Sequence, residues 1–109
     1  MPPRREVEAE AFYAGVLGVP RVAKPPHLER RGGCWFRSDG VEIHLGVEQP
    51  FSPARKAHPA FLVDDLAGLR ERLTAAGAPV VLDEPLPGYD RFYTSDPFGN
   101  RIEVLSPQE

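Results

Sequence analysis

Two stretches of this sequence are near copies of one another. Cys34-Trp35-Phe36-Arg37-Ser38-Asp39-Gly40-Val41-Glu42-Ile43 reads against Arg91-Phe92-Tyr93-Thr94-Ser95-Asp96, a short insertion, and Ile102-Glu103-Val104. Each copy is a strand, a turn and a strand, with a glutamate second in the closing apolar run. Such a repeat points to one supersecondary unit used twice, which excludes most folds open to a chain of this size. It also makes Glu42 and Glu103 equivalent positions.

The flanking segments extend the repeat. Val7, Ala11, Phe12 and Leu17 are spaced for a helix over 6–17, ended by Gly18. Residues 19–33 read as irregular and basic. A strand at 34–37, a tight Asp39-Gly40 turn and a return strand at 41–47 follow. Residues 48–57 read as a linker with two prolines. The second half reads as a strand opening at His58, a helix capped by Asp64 or Asp65 and ended by Gly77, and strands at 79–82, 91–95 and 101–105. That order is β-α-β-β-β. His58 lies 19 residues before Gly77, and the same offset from Gly18 falls just ahead of Met1. The first half is therefore expected to lack its opening strand. The fold class is α+β, with module one over 1–47, the linker over 48–57 and module two over 58–109.

With 109 residues the chain is one domain of ordinary size, long enough to bury a core without a disulfide or structural metal. A net charge of −3 with mixed signs argues against nucleic acid or a membrane surface as partner. The single cysteine, Cys34, suits a reducing compartment, and a cytoplasmic location is expected.

The chain resembles the vicinal oxygen chelate superfamily, which groups glyoxalase, bleomycin-resistance and extradiol-dioxygenase proteins. The resemblance rests on residues 12–18, 31–36 and 41–45, on His58-Pro59-Ala60-Phe61-Leu62-Val63-Asp64-Asp65-Leu66, and on Asp96-Pro97-Phe98-Gly99-Asn100-Arg101-Ile102-Glu103. It implies two βαβββ modules whose sheets form an incomplete barrel around a cavity, and a homodimer. In metal-using members the ligands come from the first and last strands of each module. Carried over, that gives His58, Glu103 and Glu42, with one histidine missing. The implied cofactor is a divalent metal (Zn, Ni, Mn, Fe or Co), acting as a Lewis acid on a small oxygen-rich ligand. Glu103 and Glu42 are then the candidate catalytic carboxylates, of a lyase, isomerase or dioxygenase. The alternative is a metal-free binder of a drug or antibiotic, of the bleomycin-resistance type. A third reading is a truncated chain that folds only as a dimer.

Alternation supplies the rest. Glu103 points away from Ile102 and Val104, either into a cavity or to solvent. Glu42 and His44 share one strand face, opposite Val41, Ile43 and Leu45. His44 is then either a ligand compensating for the lost histidine or a wall residue hydrogen-bonded to a neighbour. Arg31, Trp35, Arg91 and Tyr93 are the further substrate-binding candidates, two cations for carboxylate or phosphate and two aromatic walls. The missing strand leaves a sheet edge open, so a dimer is expected, with that edge covered by the partner or by the N-terminal arm.

Overall fold

Helix α1 (Glu6–Glu10) opens the first half and runs directly into a π-helical turn, Ala11–Val16. The computed structural model describes residues 1–108 and divides the chain into two compact units, the second beginning at Ala54. The Leu17 amide donates to the Phe12 carbonyl, five residues back, at 2.9 Å. That wider turn shifts the helical phase. Ala9, Phe12 and Tyr13 are the buried residues, while Val7, expected on the apolar stripe, is 82% exposed. A further difference falls on residues 19–33, expected to be irregular. Strand β1 (Arg21–Val22) pairs antiparallel with β2 (Cys34–Ser38), and a 3₁₀ helix spans Pro26–Arg31. β2 pairs with β3 (Val41–Leu45), giving a three-stranded sheet in the order β1-β2-β3.

One face of this sheet carries Cys34 and Phe36, both essentially buried. Tyr13 reaches that face, its ring 5.3 Å from that of Phe36 and edge-on to Phe12 at 5.1 Å. Val41, Ile43 and Leu45, expected to pack in the core, are only half-buried. Among the described residues no strand precedes α1. Met1 itself lies against the end of β3: its amino group donates to the Gly46 carbonyl at 2.7 Å, and the Glu48 amide donates to the Met1 carbonyl at 3.0 Å.

The second unit follows β4 (Ala60–Leu62), α2 (Leu66–Ala75), β5 (Tyr89–Ser95) and β6 (Arg101–Pro107). Its sheet runs β4-β6-β5, with β4 parallel and β5 antiparallel to the central β6. Asp65 caps α2, its Oδ1 accepting from the Gly68 amide at 3.0 Å. Gly77 and Gly18 follow the two helices at φ +79° and +81°, a left-handed backbone that glycine adopts without a Cβ penalty. The strand expected at 79–82 shrinks to one residue: Val81 exchanges two backbone bonds with Tyr93, each 2.8 Å. Pro79 has no amide to give, and Leu82 is 68% exposed, so no ladder extends from that bridge. Each unit thus holds a three-stranded sheet, and neither sheet closes on itself.

The turn between β5 and β6 explains the Asp96–Asn100 motif. Asp96 Oδ1 accepts from the amides of Phe98 and Asn100, each at 2.9 Å, and Oδ2 accepts from the Asn100 side chain at 2.8 Å. The Asn100 side-chain oxygen in turn accepts from the Ala54 amide at 3.0 Å. The motif is structural. It fixes the β5–β6 register, and the register fixes which side chains share a face.

Candidate functional site

Alternation along β5 and β6 separates two sets of side chains. Phe92, Thr94, Ile102 and Val104 are buried together with Leu69 and Leu73 of α2. Arg91, Tyr93, Arg101 and Glu103 fall on the other face, with Tyr93 directly across from Glu103. His58 stands two residues before Ala60, which is the parallel partner of Glu103, so it reaches the same face.

These residues form one cluster. His58 Nε2 is 2.9 Å from Glu103 Oε1, and Arg91 donates to Glu103 Oε2 at 3.3 Å. The same Arg91 nitrogen donates to the Tyr93 hydroxyl at 3.0 Å, and its neighbour donates to the Glu84 carbonyl at 2.7 Å. His58 Nδ1 lies 2.9 Å from the Lys56 carbonyl. Both imidazole nitrogens thus lie within hydrogen-bond distance of oxygen atoms. The rings of His58 and Tyr93 meet edge to face at 5.1 Å, and the Arg101 guanidinium lies 3.8 Å from the Tyr93 ring centroid.

Glu103 is 7% exposed, which works against its charge. The hydrogen bonds and charges of His58 and Arg91 outweigh that burial and hold the carboxyl below the ordinary range. A carboxylate so held is a weak proton acceptor at neutral pH. The geometry therefore favours an electrostatic role for Glu103 over the proton shuttle expected of a catalytic carboxylate.

Tyr93 and Arg101 also wall a cleft of about 350 Å³, with Arg55, Val81, Ser95 and Gly99 around them. Among the described residues Arg101 is countered only by Asp83, at 3.8 Å. Arg55 and Arg101 were not among the sequence-derived ligand contacts. Alternation places Arg101 on the Glu103 face and could have found it, whereas Arg55 lies in the linker, where no period applies.

The first unit holds a second, different histidine–glutamate pair. His44 Nε2 is 3.3 Å from Glu42 Oε1, and Arg37 reaches the same oxygen at 3.9 Å. His44 stacks on Trp35 with ring centroids 3.8 Å apart and planes within 6° of parallel. Register separates the two glutamates that the repeat equates. Trp35 faces His44 and Arg37 faces Glu42, whereas Tyr93 faces Glu103. The repeat matches Phe36 to Tyr93, and Phe36 faces Ile43, so the tighter Asp39-Gly40 turn shifts the return strand and gives the cross-strand position of Glu103 to Ile43. Arg31 and Trp35 border a smaller cleft in this unit. Cys34 is a buried free thiol, pushed up by burial against the pull of Arg21.

The donor sets test the implied metal. Among the described residues no three His, Cys, Asp or Glu side chains stand together. Each unit offers one imidazole and one carboxylate, while a protein zinc site takes three or four protein ligands. The second oxygen of Glu103 already holds the Arg91 cation. These residues as they stand do not fit a divalent ion.

Comparison with known proteins agrees with the fold. The family model described as Glyoxalase/Bleomycin resistance protein/Dioxygenase superfamily matches residues 7–104. A putative glyoxalase family protein from Bacillus anthracis is 46% identical over 99% of this chain and 88% of its own, with a TM-score of 0.92. A lactoylglutathione lyase from Agrobacterium tumefaciens is 26% identical over 97% of this chain and 88% of its own, with a TM-score of 0.69. TnmS3, an antibiotic binding protein from Streptomyces sp. CB03234, is 23% identical over 99% and 91%, with a TM-score of 0.76. No curated protein matches the chain.

Proposed function

The chain belongs to the glyoxalase/bleomycin resistance protein/dioxygenase superfamily, and on that footing we propose that it is a metal-free binder of a small, oxygen-rich anion. The anion sits in the cleft of the second unit. The observation that carries this reading is the environment of Tyr93: Arg101 over its ring, Arg91 on its hydroxyl and His58 at its edge. The ring is a rigid wall with cations around it. Arg91 is committed to Glu103, while among the described residues Arg101 and Arg55 face the cleft with only a long contact to Asp83 against them. A guanidinium takes carboxylate, phosphate or phosphonate oxygens two at a time, which suits such a ligand. A volume of about 350 Å³ lies at the small end of known ligand sites and limits the ligand to a compact molecule. TnmS3 is an antibiotic binding protein on a similar fold, so a binder is within the repertoire of that fold.

Thermal unfolding against a panel of phosphonates, carboxylates and polyhydroxylated aromatics tests the reading. A ligand at a hundredfold its Kd adds about 2.7 kcal/mol, a shift of roughly 10 °C for a domain of this size. At least one anion is expected to raise Tm, and Arg101→Ala is expected to abolish the rise. A panel without any shift, or a shift that survives both Arg101→Ala and Tyr93→Ala, overturns the reading.

A further inference from the structure

Arg101, the cation over the Tyr93 ring in the second unit's cleft, does not stand unopposed. Its guanidinium lies 3.8 Å from the ring centroid, and among the described residues its one counter-charge is Asp83, at 3.8 Å. Arg91 and His58 are turned to Glu103 and do not line the cleft. The charge offered to a ligand is therefore that of Arg55 and Arg101 less that of Asp83, two positive charges minus one negative charge.

Two backbone anchors hold Asp83 beside Arg101. Two residues earlier, Val81 exchanges backbone bonds with Tyr93, each 2.8 Å. One residue later, the Glu84 carbonyl accepts from Arg91 at 2.7 Å. The carboxylate itself is braced: Oδ1 accepts from the Glu84 amide at 2.8 Å, while Oδ2 faces Arg101. The segment bearing this acid is thus tied on both sides to Tyr93 and Arg91. With the Asp83 side chain 44% exposed and the contact long, the pair contributes little to folding. Its charge still acts on whatever Arg101 binds, in proportion to the charge of that ligand.

We infer that Asp83 sets the charge class of the ligand: the cleft takes a compact monocarboxylate and discriminates against phosphate-type dianions. This rests on the anion-binding reading above and narrows it. A monocarboxylate cancels the net charge of the cleft, with its two oxygens on a guanidinium and its apolar part against the Tyr93 ring. A dianion overcompensates that charge. Repulsion from Asp83 is twice as large for it, and its dehydration costs more. Asp83 does not line the cleft, so it acts through Arg101 and through its field, as a positioning and charge-balancing residue.

Benzoate and phenyl phosphate share a ring and differ by one charge at about pH 8, where a phosphate monoester has lost its second proton. Isothermal titration of the full chain is expected to show benzoate binding at least as tightly as phenyl phosphate. Asp83→Asn keeps the side chain's shape and an acceptor for the Glu84 amide, and removes the charge. It is expected to strengthen benzoate about threefold and phenyl phosphate about tenfold, roughly the square of the first factor. Asp83→Glu is expected to keep the wild-type preference. A merely structural role for Asp83 moves both ligands by the same factor. Equal factors, no change with either ligand, or a wild-type preference for phenyl phosphate overturns the inference; loss of both ligands in Arg101→Ala then leaves the anion cleft itself standing. Absence of binding by both, with the wider anion panel also silent, overturns the reading beneath it as well.

Discussion

Each unit pairs a histidine with a glutamate, along one strand in the first unit and between strands in the second, and the two pairs have opposite characters. In the second unit Glu103 is 7% exposed, both of its oxygens are taken, and the partners His58 and Arg91 are themselves anchored to carbonyl groups. In the first unit the Glu42 and His44 side chains are each about half exposed, 3.3 Å apart, and beside an open cleft. The same residue types are thus a fixed charge cluster in one place and a loose surface pair in the other. Burial and the third partner, Arg91, make the difference. A pair without them has neither the low dielectric nor the geometry that makes an ion pair matter.

The largest expected effect comes from removing the buried carboxylate. Glu103→Ala leaves Arg91 facing Tyr93 and His58 without a counter-charge, and is expected to cost about 3 kcal/mol in urea unfolding. A loss below about 1 kcal/mol would put Glu103 in the same class as Glu42.

Next comes the carboxylate that fixes the register. Asp96 is 5% exposed and accepts three hydrogen bonds across the β5–β6 turn. Asp96→Ala is expected to cost about 2 kcal/mol, because two backbone amides lose their acceptor at once. Among the described residues the β2–β3 turn holds no such carboxylate bond, and Asp39→Ala is the natural control.

The acid limb of stability separates the pairs further. The folded pKa of Glu103 lies below its unfolded value, so the stability it contributes is present above roughly pH 4.3, the unfolded value. It is lost as pH falls from there through the lower folded value. Urea midpoints followed downward from about pH 5 are expected to drop more for the wild type than for Glu103→Gln. Parallel curves would mean that Glu103 is not held ionised by its neighbours.

The smallest effect belongs to the exposed pair. Glu42→Ala is expected to change stability by less than about 0.5 kcal/mol, while altering Trp35 fluorescence through its contact with His44. A loss as large as that of Glu103→Ala would erase the contrast between the units.

Much of the second unit was legible in the sequence because its strands alternate cleanly. Phe92, Thr94, Ile102 and Val104 mark one face and leave Glu103 on the other, and Asp65 and Gly77 bracket α2. The first unit was less legible for local reasons. The π turn at Ala11–Val16 breaks the helical period, so Val7 was placed on the buried stripe and Ala9 was missed. Strand β1 is only Arg21 and Val22, too short to show any period, and exists because β2 offers it an edge. The juxtaposition of His58 and Glu103 was implied by the family resemblance. Arg91 on the second oxygen was not, since it depends on the Tyr93 hydroxyl and the Glu84 carbonyl holding the guanidinium in place. That one placement turns a pair of apparent metal ligands into a filled ion cluster.

The most direct test of that commitment is equilibrium dialysis of the purified full chain against zinc, nickel or manganese, followed by metal analysis. If Glu103 is held by His58 and Arg91, the chain retains less than about a tenth of an equivalent of each. Retention near one equivalent, lost in both His58→Ala and Glu103→Ala, would contradict the account.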